Sequence, residues 1–170
     1  MRIPYFLIAL GVVARLIPHP WNFTPVGALG LFAGANYHPR VAWLVPLGAL
    51  LVADLITGLY YPTIMVFVYL AFLTGPLIGR VIIGRRRSVR RIGGAVVVSS
   101  TVFFVLSNFG VWMSGLYPLS LSGLVECYIQ AIPYYGATLV GDGLYAAILF
   151  GGHEVVLSAL RRRSNVPARP

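Results

Sequence analysis

Arg85-Arg86-Arg87-Ser88-Val89-Arg90-Arg91 puts five arginines into seven residues between two long apolar runs, 63–83 and 93–114. Positive charge beside an apolar span is retained on the cytoplasmic side during insertion, so this run marks an inner loop. Working outward, further apolar stretches occupy 3–17, 25–37, 41–61 and 136–160, while Arg2, Arg40 and Arg161-Arg162-Arg163 fall in alternate gaps. The gaps at 18–24, around Tyr61-Pro62 and at 115–135 contain no arginine or lysine. The alternation predicts six spans with both termini cytoplasmic, in the inner (plasma) membrane of a cell. Arg15 is the one arginine that breaks it.

Composition leads to the same class. Hydrophobic residues make up 58% of the chain and charged residues 10%, with a mean hydropathy of +0.84, far from a soluble domain. We read an all-α, polytopic six-helix transmembrane bundle, a single domain over 1–170, with the lipid bilayer as its first partner. A net charge of +9 would suit a nucleic-acid binder, but all thirteen basic residues are arginine and most sit at span ends. The anionic inner leaflet is the better counterpart, and no nucleic-acid partner is expected. Cys127 is the sole cysteine, which excludes an intrachain disulfide and any Cys-pair metal motif. No metal or cofactor is assigned. The first seventeen residues have the outline of a signal peptide but no small-x-small cleavage site, so they are expected to remain as the first span.

The spans are uneven. A helix needs ~20 apolar residues to cross ~30 Å of hydrocarbon, and 3–17 and 25–37 fall short. The second carries Gly30 and Gly34, a GxxxG spacing that lets backbones approach closely, and is expected inside the bundle. Gly75 and Gly79 repeat that spacing beside Pro76; packing within the bundle is the simpler reading of both, docking of another subunit the alternative. In the gap 115–135, apolar residues from Leu121 to Ile132 recur at three- and four-residue steps. They predict a short interfacial helix from Leu119 to Ile132 in the last outer loop, ended by Pro133. Trp43, Tyr60, Tyr61, Tyr117, Tyr134 and Tyr135 read as headgroup-depth anchors.

Polar residues within the spans converge in the sequence on one level. Counted from the outer span ends, Asp54, Asn108 and Asp142 lie about 10 Å down, and Arg15 is near the same end. A carboxylate facing hydrocarbon costs ~2.5–3.5 kcal/mol on the insertion scale, so these groups should face the interior or one another. Three prolines stiffen the adjoining loop Pro18-His19-Pro20-Trp21-Asn22-Phe23-Thr24-Pro25. The expected site is an outward-facing pocket of Arg15, His19, Asn22, Thr24, Asp54, Asn108, Trp112 and Asp142, with Glu126, Tyr128 and Gln130 as a lid. Two plainer readings stand beside it. Arg15 could pair with Asp54 or Asp142 as a structural ion pair, and Asp142, flanked by Gly141 and Gly143, could cap a break in the last helix.

The order Arg15-x-x-Pro18-His19-Pro20-x-Asn22-Phe23-Thr24-Pro25, then Asp54-Leu55-x-x-Gly58, Asn108-Phe109-Gly110-Val111-Trp112, Cys127-Tyr128 and Gly141-Asp142, resembles an uncharacterised bacterial family of small six-span membrane proteins. In size and span layout that family is similar to the substrate-binding S subunits of energy-coupling-factor vitamin transporters. The resemblance implies a substrate-capture subunit for a small polar, vitamin-like nutrient, served by transmembrane and ATPase subunits. The chain itself has no GxxxxGK[ST] motif, so ATP energy would come from those partners. An unaided carrier exchanging protons at Asp54 or Asp142 is the variant within this class. From other classes come an intramembrane aspartyl-type enzyme using Asp54 and Asp142, although Leu139-Val140-Gly141-Asp142 lacks the first glycine of Gly-x-Gly-Asp, and a structural subunit without ligand. No complete catalytic motif is present, so we expect no enzyme.

Overall fold

A computed structural model describes residues 3–18, 22–84 and 86–164. Those residues are helical almost throughout, in six helices: α1 (Ile3–Leu16), α2 (Val26–Asn36), α3 (Pro39–Thr57), α4 (Pro62–Ile78), α5 (Val89–Met113) and α6 (Leu121–Ser164). Four segments are long and apolar enough to cross a membrane: Pro39–Thr57, Pro62–Ile83, Val89–Met113 and Leu121–Arg162. The 14 residues of α1 and 11 of α2 are apolar but shorter than a span. The ring helices expose large apolar side chains such as Leu44, Leu55, Leu70, Val81, Val140 and Ile148, a surface that suits lipid rather than water.

The short helix α2 is the hub. It touches all five other helices, whereas α1 meets α3, α3 meets α4, α4 meets α5 and α5 meets α6. The result is an incomplete ring of five around one, open between α1 and α6, which share no contact among the described residues. From Val26 to Gly34 every α2 residue is buried, and a helix apolar all round belongs in such a place. Glycine brings it there. A Cβ on Gly34 would strike the Pro76 carbonyl, one on Gly79 would strike the Leu31 carbonyl, and one on Gly75 would lie 3.5 Å from Gly30 Cα. The two GxxxG motifs therefore face each other across α2 and α4, as the packing reading expects. After Pro76, α4 continues into a π-helical turn at Gly79–Ile83, closed by the Gly84 amide on the Gly79 carbonyl.

One expectation is overturned. The interfacial helix is not a separate element ended by Pro133: α6 runs unbroken for 44 residues, with Pro133 inside it. At 1.5 Å per residue that is about 66 Å of helix. Proline removes one amide donor and crowds the preceding turn, but here α5 holds α6 on both sides of it. Tyr128 donates to the Val105 carbonyl (2.7 Å), the Tyr135 and Thr101 hydroxyls lie 2.9 Å apart, and Phe104 packs on both tyrosine rings. With both turns clamped, a break at Pro133 would lose more contacts than the missing hydrogen bond costs.

The arginine-rich end is tied by one side chain. Arg87 donates through Nη1 to His153 Nδ1 (2.8 Å) and Glu154 Oε1 (3.1 Å), and through Nη2 to Asn36 Oδ1 (2.7 Å). The segment before α5 is thereby joined to the end of α2 and to α6.

Candidate functional site

Helix lengths create the site. At 11 residues α2 is about 16 Å long, whereas α3 at 19 and α5 at 25 residues span about 29 and 38 Å. A central helix shorter than its ring leaves room above one of its ends. At the arginine-poor end that room is a cavity of about 410 Å³, lined by Arg15 to Pro18, Asn22, Thr24, Phe72, Phe103 and Thr138. Its walls come from α1, α4, α5, α6 and the segment entering α2. Phe72 and Phe103 pack at 4.6 Å between ring centroids, tilted by 38°, and supply an apolar aromatic wall. Thr138 is buried and donates to the Tyr134 carbonyl (2.9 Å).

Beside it lies a second cavity of about 550 Å³, lined by Asn22, Asn108, Val111, Leu116, Tyr117, Cys127, Gln130, Ala131 and Tyr134. Asn22 borders both. Its φ of 61° is the left-handed conformation, which asparagine tolerates better than most residues. The residue therefore makes the turn and also presents its amide between the two spaces.

The carboxylates are already engaged below. Arg15 Nη2 donates to Asp54 Oδ1 at 2.7 Å, and the Tyr69 hydroxyl donates to Asp54 Oδ2 at 2.9 Å. The Asp54 side chain is 1% exposed and that of Arg15 22%, so the ion pair closes α1 onto α3 with Arg15, and not Asp54, lining the cavity. Tyr60 stands close enough to feel it. Burial, with the Asp54 charge second and Arg15 opposing, pushes its phenol up to about 12, so the hydroxyl remains a neutral donor over ordinary pH.

Asp142 belongs to a different network. Ser100 Oγ donates to its Oδ2 at 2.8 Å and the Ala28 amide to its Oδ1 at 3.2 Å. Ala28 is the third residue of α2, whose first amides have no partner within the helix, and its N-cap Pro25 provides no side-chain bond. Asp142 thus caps α2 from α6, placing a carboxylate at the positive end of that helix. Gly27 makes room for it, since a Cβ there would overlap the carboxylate oxygens. The cap is across helices, not at a break in α6. Depth separates the networks too: Ser100 lies 13 residues before Met113, about 20 Å into α5, whereas Asn108 lies about 8 Å in.

Of the residues expected to share one pocket, the structure brings Arg15, Asn22 and Thr24 to the first cavity and Asn22, Asn108 and Gln130 to the second. Asp54 sits behind Arg15. Asp142 lines neither cavity. Trp112 donates to the Pro118 carbonyl (3.0 Å) and packs on Phe109, fixing the turn between α5 and α6. Tyr128 is spent on α5, and Glu126 is exposed on an apolar flank beside Leu121, Val125 and Ile129. His19 lies outside the described residues. Tyr69, Phe72, Phe103 and Thr138 were missed by sequence reasoning. In an apolar span an aromatic or threonine has the look of ordinary packing, and only the relative rotation of helices distinguishes these four.

Fold and site define a class: an all-helical chain with lipid-suited apolar helices around a short central one, and polar cavities at one end. The chain belongs to the family described as "Family of unknown function (DUF6580)", whose model matches residues 1–166. No curated protein and no solved structure matches it.

Proposed function

We propose that this protein is a membrane substrate-capture subunit, with the arginine-poor end outward and both termini cytoplasmic, that takes up a small polar but uncharged molecule in the 410 Å³ cavity. One observation carries the reading: five separate parts of the chain supply that cavity with a pair of packed aromatic rings and with amide, hydroxyl and guanidinium groups, the usual make-up of a small-molecule site. Arg15 does not favour an anion, because Asp54 neutralises it at 2.7 Å. A planar molecule with donors and acceptors on its edge fits better, its face on Phe72 and Phe103 and its edge toward Asn22, Thr24 and Thr138. Delivery through transmembrane and ATPase subunits, in the manner of S subunits, is the form of transport we favour.

The aspartyl-enzyme reading is the weaker one, since Asp54 and Asp142 share no hydrogen-bond partner among the described residues. The test is a thermal-shift screen of the purified protein against uncharged heteroaromatic metabolites, repeated with Thr138→Trp to fill the cavity. A true ligand at a hundred times its Kd stabilises the wild type by about 2.7 kcal/mol and leaves Thr138→Trp unmoved. Equal shifts in both proteins, or none across the screen together with unchanged growth of a deletion strain, would sink the proposal.

A further inference from the structure

At the arginine-rich end, α5 and α6 diverge around an apolar groove of about 450 Å³, bordered by Arg87 and Glu154 and running down past Gly93, Gly143, Ala147 and Gly151. These glycines differ from those of the hub. A Cβ on Gly93, Gly143 or Gly151 would meet nothing within 4 Å, whereas one on Gly34 or Gly79 would strike backbone. Packing of this chain therefore does not require them to be small; they keep a trough open. The trough lies on the least covered helix, for only 11% of the most apolar window of α6 is buried. Arg87, at its border, is paired with Glu154, and the exposed Arg86 and Arg90 lie within three residues of Arg87 in the chain.

An apolar trough leading into concentrated positive charge is complementary to one kind of molecule, a hydrocarbon chain ending in an anion. We infer that this groove binds an anionic diacyl phospholipid, with an acyl chain along Gly93, Gly143, Ala147 and Gly151 and the phosphate toward Arg86 and Arg90, in the run that borders its mouth. A second copy fits worse: chains inserted in the same orientation would bring two copies of the exposed Arg86 and Arg90 together. A basic mouth between helices is a recurrent design for holding an acidic headgroup. The inference depends on membrane embedding alone and is independent of what occupies the cavity at the other end.

Native mass spectrometry of the full chain in detergent tests it, with phosphatidylglycerol and phosphatidylcholine of matched acyl chains as probes. Phosphatidylglycerol should be retained preferentially, and millimolar inorganic phosphate should not displace it. Ala147→Phe, which fills the trough, should weaken its binding about tenfold, while Leu51→Phe on lipid-exposed α3 should leave it unchanged. Arg86→Gln with Arg90→Gln keeps the trough intact and should lower the preference by about fivefold per arginine. That pair serves as the probe if Ala147→Phe does not fold. Equal retention of the two lipids, displacement by phosphate, unchanged binding in the filled or the neutralised variant, or a dimer that Ala147→Phe dissociates, would overturn the inference.

Discussion

The two ends of the bundle use the same residue in opposite ways. At the arginine-poor end Arg15 meets a buried carboxylate at 2.7 Å, so charge is cancelled inside the fold and the cavity above is polar but neutral. At the other end Arg87 meets the exposed Glu154 at 3.1 Å, Arg86 and Arg90 stand exposed in the same run, and the nearby groove is apolar. An arginine whose counter-charge is intramolecular fixes helix geometry, whereas one without it must find its anion outside. On that difference rest the two proposals, an uncharged molecule at one end and an anionic lipid at the other.

The comparison breaks first at Asp54. Asp54→Ala leaves Arg15 uncompensated and should destabilise the protein by about 3–5 kcal/mol in equilibrium unfolding in detergent. Adding Arg15→Met should restore most of that loss. If the single variant costs no more than the double, the pair does not hold α1 to α3. By contrast, Arg90→Gln at the other end should change unfolding by no more than about 0.5 kcal/mol.

The second network is next. Gly27→Ala drives a methyl into the Asp142 carboxylate and should cost about 1–3 kcal/mol. Asp142→Ala loses the cap and should cost about 0.5–2 kcal/mol. Because both act on one contact, the double variant should cost less than the sum, and strict additivity in the same unfolding assay would show that Asp142 does not cap α2.

A smaller effect, of opposite sign, is expected at Pro133. Since α6 is continuous, Pro133→Ala should stabilise by roughly 1 kcal/mol, as proline is the poorest helix former and α5 already offsets part of its cost. A loss of stability on this substitution would instead favour two helices joined at a proline turn.

The helix order was legible because apolar runs and arginine clusters are local properties of the chain. The hub position of α2 was also partly legible, since Gly30, Gly34 and the apolar circumference leave such a helix few other places. Continuity of α6 was not. Pro133 is a local stop signal, and what overrides it is the contact of Tyr128 and Tyr135 with α5, which only tertiary structure supplies. For the polar residues, counting along spans placed Asp54 and Asp142 at one level, but α6 begins well before residue 136 and α2 begins deep. The two carboxylates therefore meet different partners. The pairing of Arg15 with Asp54 was one of two choices the sequence left open, and helix adjacency decides it: α1 contacts α3 and not α6.

The most direct test of the neutral-site claim is the charge of the molecule that the cavity retains. Protein purified gently from its own membrane should release, on denaturation, a compound that mass spectrometry identifies as uncharged at neutral pH, absent from the same preparation of Thr138→Trp. A carboxylate or phosphate ester released by the wild type and lost from that variant would mean that Arg15 is not spent on Asp54, and would contradict the account.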